Sequence, residues 1–90
     1  MSVVISLPPM LQALAGEIKQ TECNGSTIGN CLNDLIEKYP QMKPRLFNRR
    51  GELANGVNIF LNGESILPKS LSKPVRDGDK IHISFIVLGG

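Results

Sequence analysis

The stretch Val57-Asn58-Ile59-Phe60-Leu61-Asn62-Gly63-Glu64-Ser65-Ile66 carries the strongest local signal in the chain. Val57, Ile59 and Leu61 alternate with Asn58 and Phe60, so one face of a strand is apolar along its whole length. Asn62-Gly63 follows at once, and this dipeptide favours a type I′ turn because both of its residues must take positive φ. Glu64-Ser65-Ile66 then reads as the short return strand of a hairpin.

Downstream, Pro68 to Val75 reads as an irregular crossing and Asp77-Gly78-Asp79 as a turn. Lys80 to Val87 alternates Ile81, Ile83, Phe85 and Val87 against His82, Ser84 and Ile86, which predicts a last strand. Leu88 follows, and the sequence stops on Gly89-Gly90.

Upstream, Ile28, Cys31, Leu32, Leu35, Ile36 and Tyr39 recur every three or four residues and form one continuous helical face. Ser26 and Thr27 are candidate caps, and Pro40 ends the helix by pushing Tyr39 out of the α region. Met42 to Phe47 predicts a single helical turn, and Arg49 to Gly56 a loop. At the amino end, Val3, Ile5 and Leu7 alternate with Ser2, Val4 and Ser6 in a strand that Pro8-Pro9 terminates. Ile18 to Cys23 is a weaker strand, paired with the first across a wide loop carrying Met10 to Glu17. The fold class is therefore α+β, a mixed sheet of four to five strands packed on one main helix. Residues 1–90 form a single domain, with 88–90 expected as a flexible C-terminal tail.

Composition bounds what such a domain does. A chain of 90 residues, 41% hydrophobic and 20% charged, holds one modest core and rarely a deep pocket as well. A self-contained enzyme is disfavoured. The longest apolar run, Phe85 to Leu88, is far short of the roughly 20 residues of a membrane span. Met1 to Pro9 has no basic segment before its prolines, so no signal peptide is expected and the expected location is the cytoplasm.

The order of elements, the segments Val57 to Glu64 and Val75-Arg76-Asp77-Gly78-Asp79-Lys80-Ile81, and the terminal Gly89-Gly90 together resemble the ubiquitin-like sulfur carriers of the MoaD and ThiS family. The resemblance spans nearly the whole chain and implies a β-grasp fold. Ser6-Leu7-Pro8, Leu11, Gly16 and Ser26-Thr27-Ile28-Gly29 look most like the branch that serves cysteine or methionine biosynthesis. The molybdopterin branch usually opens with a Phe-Ala-x-x-Arg-like segment, absent here, and thiazole-branch carriers are usually shorter.

What the resemblance implies is a carrier that is itself a substrate. An E1-like activating enzyme of the MoeB and ThiF kind adenylates the carboxylate of Gly90 with ATP, and a sulfur donor displaces AMP to leave a thiocarboxylate. A sulfur-accepting synthase consumes it, with a metalloprotease releasing the product as a further partner. No cofactor is bound by the carrier; ATP belongs to the activating enzyme. The residue types suit this chemistry. Gly90 places no side chain beside the attacked carbon, and Gly89 and Leu88 give access as a thin, φ-permissive segment. Alternative readings are a carrier for molybdopterin or thiazole synthesis, a ubiquitin-like modifier joined to lysines, and a β-grasp interaction module with an inert tail. Ubiquitin itself has an arginine before its Gly-Gly where this chain has Leu88.

Phe60 and Ile86 break the alternation of their strands and are expected to share the face opposite the helix, with Val4 beside them, as a docking patch for the activating enzyme. Scattered exposed apolar residues are equally ordinary on such a face. Lys38, Lys43, Arg45, Arg49 and Arg50 carry five positive charges with no acid between them. With a net charge of only +2 they read as a solvated face or a steering patch for an acidic protein rather than a nucleic-acid site. Cys23, expected in a loop, and Cys31, expected in the helix's apolar stripe, cannot complete a metal site with one histidine in the chain. Asp77 and Asp79 read as turn residues before they read as an acid pair.

Overall fold

Val3, Ile5, Val57, Ile59, Leu61, Ile81 and Ile83 are buried, while the residues between them are half-buried or exposed, so period-2 alternation decides which face of the sheet is covered. These residues come from a computed structural model that describes residues 2–66 and 71–86. Five strands form one sheet: β1 (Ser2–Ser6), β2 (Gln20–Asn24), β3 (Val57–Leu61), β4 (Glu64–Ser65) and β5 (Lys80–Phe85), in the order β2-β1-β5-β3-β4. The two central strands, β1 and β5, run parallel with Ile5 opposite Ile81 and Ser6 opposite His82. All other pairs are antiparallel, which gives the mixed sheet of a β-grasp.

Helix α2 (Ile28–Lys38) lies across the covered face, where Ile28, Cys31, Leu32 and Leu35 join the strand residues in one core. Thr27 caps it: its hydroxyl oxygen accepts from the Asn30 N–H at 3.1 Å. The first two N–H groups of the helix are satisfied from outside it. Ile28 N–H donates to the Lys73 carbonyl at 3.0 Å and Gly29 N–H to the Leu71 carbonyl at 2.8 Å, while Val75 N–H returns a bond to Ser26 at 3.0 Å. The described part of the predicted crossing thus anchors the start of α2; residues 67–70 of it, and Val87 of the predicted last strand, lie outside the described residues. After Tyr39 a 3-10 turn (Pro40–Met42) leads into α3 (Lys43–Leu46), and Met42 and Leu46 are fully buried.

Three expectations need correction. The segment from Met10 onward is not simply a loop, because Pro9–Leu14 forms a short helix, α1. Pro9 suits the first helical position, and Leu11 and Ala15, four residues apart, drop into the core. The second strand starts at Gln20 instead of Ile18, whose side chain is 42% exposed, and ends at Asn24. Cys23 is consequently not in a loop: it sits in β2 opposite Val3 and is 1% exposed.

The packing yields a stability contrast. Leu32→Ala removes a fully buried side chain and is expected to cost about 2–5 kcal/mol. Ile18→Ala, at an exposed position, should change stability by less than about 0.5 kcal/mol. Urea unfolding followed by circular dichroism measures both.

Candidate functional site

β5 is central, so its carboxyl end emerges between two neighbours and not at an edge. Val57 pairs with Phe85, and the Ile86 N–H donates to the Gly56 carbonyl at 2.7 Å, the last bond on the β3 side among the described residues. Gly56 has φ 85, and a Cβ there would stand 3.0 Å from the Ile86 carbonyl oxygen. A side chain at 56 is therefore strained by both backbone and neighbour. On the other side, β1 continues past Ser6 into Pro8, Pro9 and Met10, which with His82, Ser84 and Phe85 line an open groove of about 360 Å³. Met10 is 49% exposed and Ile86 50%, so two of the three large exposed apolar residues among those described flank the end of β5.

Phe60 lies on the face opposite α2, between the buried Ile59 and Leu61, and Ile86, 50% exposed, follows Phe85 at the end of β5. They are not adjacent. Phe60 pairs with His82, four residues before Ile86, which is about 13 Å along a strand. Asn58 and Ser84 form the rung between them. The neighbour of Phe60 is His82, with ring centroids 6.2 Å apart at 52°. Val4 lies beyond β5, opposite Lys80, diagonal to Phe60. Met10, Pro8 and Pro9 border the end of β5 from the β1 side, beside Phe85, a placement that reading Pro8-Pro9 as a strand terminator alone does not give. The signal was there: a proline pair followed by Leu11 and Ala15 at helical spacing.

The entry to β5 is fixed by polar contacts. Asn62 (φ 51) and Gly63 (φ 87) form the expected turn, and the Asn62 side chain reaches across the sheet. Its Oδ1 accepts from Lys80 N–H at 2.9 Å and its Nδ2 donates to Asp79 Oδ1 at 3.1 Å. The other Asp79 oxygen accepts from Arg76 N–H at 2.8 Å. That backbone donor first, then the Asn62 amide, holds the Asp79 carboxyl below its ordinary range. Asp77 Oδ1 accepts from Ser2 N–H at 2.8 Å, tying the turn to β1. Both aspartates act as turn residues. Among the described residues no cluster of His, Cys, Asp and Glu could hold a metal.

Cys23 and Cys31 are both free and buried, and the Cys23 thiol lies 3.4 Å from the Val3 carbonyl oxygen. Burial, aided by the neighbouring Cys31, pushes the Cys23 thiol up to about 12 from an ordinary value of 9.0; burial raises Cys31 as well. A protonated thiol is a poor nucleophile, so neither cysteine is placed to take part in sulfur chemistry. Leu88, Gly89 and Gly90 lie outside the described residues. No helix among the described residues is long and apolar enough to cross a membrane.

A mixed sheet grasping one main helix, with β5 at its centre, defines the class as ubiquitin-like β-grasp proteins. Residues 5–90 match the ThiS family, and the chain belongs to that family. It is 32% identical over 93 aligned residues to the sulfur carrier protein CysO of Mycobacterium tuberculosis, covering 100% of both chains. It is 31% identical over 65 residues to small archaeal modifier protein 1 of Haloferax volcanii, covering 72% of this chain and 71% of that one. Among solved structures it superposes on CysO in the Amycolatopsis orientalis BexX/CysO complex with a TM-score of 0.87 at 29% identity, covering 98% of this chain and 99% of that one. The fold expectation and the family resemblance are both met.

Two outcomes follow from this geometry. Gly56→Ala should cost about 1–2 kcal/mol, because an L-residue is forced into the left-handed region, as read by thermal unfolding. The Cys23 thiol keeps its proton in the folded state to about pH 12 whereas the unfolded thiol loses it near 9. Its contribution to stability is therefore complete below pH 9 and is lost as pH rises toward 12. Chemical unfolding at a series of pH values should show that decline, and Cys23→Ala should flatten it.

Proposed function

We propose that this protein is a sulfur carrier of the CysO kind, in which the carboxylate of Gly90 is the reacting group. The observation that carries the reading is the position of Ile86, bonded to Gly56 just after the central strand β5 and four residues before Gly90. Four extended residues reach at most about 14 Å, enough for the carboxylate to enter a partner's active site while the globule stays outside. Nothing in this mechanism asks the carrier for a catalytic base. An E1-like enzyme of the MoeB and ThiF kind aligns ATP; a carboxylate oxygen of Gly90 attacks the α-phosphorus and pyrophosphate leaves. Hydrosulfide then attacks the carbonyl carbon of the acyl adenylate and AMP leaves, which yields the thiocarboxylate after loss of the sulfur's proton. Glycine at 90 keeps that carbon open to attack, and Gly89 and Leu88 thread the channel.

The same reading gives the thiocarboxylate to a sulfur-accepting synthase in cysteine, or homocysteine and methionine, biosynthesis in the cytoplasm, with a metalloprotease releasing the product. Its support is the full-length likeness to CysO sulfur carrier proteins and the fact that a CysO has been crystallised in complex with a second protein, BexX. We place the docking surface of the activating enzyme on the sheet face that carries Phe60 and Ile86. Any enzyme that closes over the tail meets the rim around Ile86 first, so Met10 belongs to that surface. A second reading, a ubiquitin-like modifier, is favoured by the likeness to small archaeal modifier protein 1.

Intact mass spectrometry of the protein purified from its own host separates these readings. One sulfur in place of one oxygen on the chain is the expected result. Adducts joined to lysines of other proteins would favour the modifier, and an unmodified chain that no E1-like enzyme activates would overturn both. For docking, Ile86→Ser and Met10→Ser should each weaken productive binding to the activating enzyme by more than about 1 kcal/mol. Phe60→Ser, two rungs away, should have the smaller effect in the same steady-state kinetics.

A further inference from the structure

The helical layer carries a feature that the tail chemistry does not use. Of the five cations between Lys38 and Arg50, Lys38 is occupied: it pairs with Asp34 at 3.7 Å and its ammonium donates to the Glu22 carbonyl. Lys43, Arg45, Arg49 and Arg50 make no ion pair and no side-chain hydrogen bond with any described residue. Two of them, Lys43 and Arg49, line an open groove of about 490 Å³ beside α2, together with Asn33, Ile36 and Phe47. Ile36 was expected in the core stripe of the helix; it is half-buried and lines this groove.

The arginines are held in place by their loop. Phe47 and Leu53 form an isolated bridge, Asn48 N–H donates to the Glu52 carbonyl at 2.8 Å, and Gly51 N–H donates to the Asn48 carbonyl at 3.1 Å. The Asn48 side-chain oxygen closes the loop from inside, accepting from Arg50 N–H at 2.9 Å and Glu52 N–H at 3.1 Å. Gly51 completes it at φ 81. Arg49 and Arg50 therefore stand exposed on a backbone already fixed by hydrogen bonds, and a ligand would have only their side chains to order.

We propose that this arginine loop and its groove dock an acidic polypeptide segment of a partner protein. Carboxylates of the segment meet Lys43, Arg49 and Arg50, and one apolar side chain of it lies against Ile36 and Phe47. Guanidinium groups match carboxylates bidentately, which selects acidic side chains over neutral amides. Glu37 lines the groove and Glu52 closes the loop, so acids interrupt the positive surface. That interruption suits a segment with spaced carboxylates and an apolar anchor better than a compact phosphate or a continuous nucleic-acid backbone. The groove is on the helical layer and Phe60 is on the opposite face of the sheet, so both surfaces can be engaged at once.

Amide chemical-shift titration of the ¹⁵N-labelled full chain with the synthetic peptide acetyl-Glu-Asp-Leu-Glu-Asp-Phe-Glu-amide tests this. Shifts should cluster at Asn33, Ile36, Phe47, Asn48, Arg49 and Gly51. Binding should weaken by about tenfold or more when salt rises from about 50 to 500 mM. Arg49→Glu with Arg50→Glu, both at exposed positions, should abolish the shifts, and Arg49→Gln alone should weaken them. The proposal is overturned if the peptide causes no shift at these amides, if its Gln and Asn counterpart binds equally well, or if the shifts fall on the outer face of the sheet. It is equally overturned if inorganic phosphate reproduces the same shifts at lower concentration than the peptide.

Discussion

The parallel pairing of β1 with β5 is the constraint on which the rest of the structure depends. It joins the first strand of the chain to the last through Ile5 opposite Ile81 and Ser6 opposite His82, at the centre of the sheet. Parallel neighbours need a long crossover, and everything from α1 to the β3–β4 hairpin lies within it. Because β5 is flanked on both sides, its register is fixed by two ladders at once, and a slip by one residue would turn Ile81 and Ile83 out of the core. The same pairing sets what borders the carboxyl end of β5: Pro8 to Met10 on one side and Gly56 on the other.

The polar contacts around the start of β5 serve that register. Asn62 both turns the β3–β4 hairpin and bonds Lys80 and Asp79, so one side chain couples the turn to the strand beyond it. Asp77 binds the backbone of Ser2 at the start of β1. Each bond is exposed and individually modest, of the order of 1 kcal/mol. Together they fix the start of the strand, and the apolar ladder carries that alignment to its far end.

Much of this was legible in the residues. Strict alternation in Val57 to Leu61 and Lys80 to Phe85 named the covered face, and Asn62-Gly63 named its turn, because period-2 patterns and positive φ are local properties. The helix was equally clear from Ile28 to Leu35. What escaped was contributed from a distance. α1 carries only a proline pair and one i,i+4 apolar pair as local signal, and its helical state rests on Leu11 and Ala15 finding the core. Cys23 stands at the end of a weak strand signal, and its burial comes from pairing opposite Val3. The separation of Phe60 from Ile86 follows from the β3–β5 register, which no single segment encodes. Leu88, Gly89 and Gly90 are the reverse case: their proposed role rests on residue type and position in the chain, and they lie outside the described structure.

The central claim is that the fold delivers one carboxylate, that of Gly90, to an activating enzyme. Pyrophosphate release by a purified E1-like enzyme with ATP, compared between the full chain and a chain lacking Gly90, tests it most directly. The account predicts carrier-dependent release with the full chain and only the enzyme's background rate with the shortened one, both proteins being equally folded. Equal release from the two would contradict it.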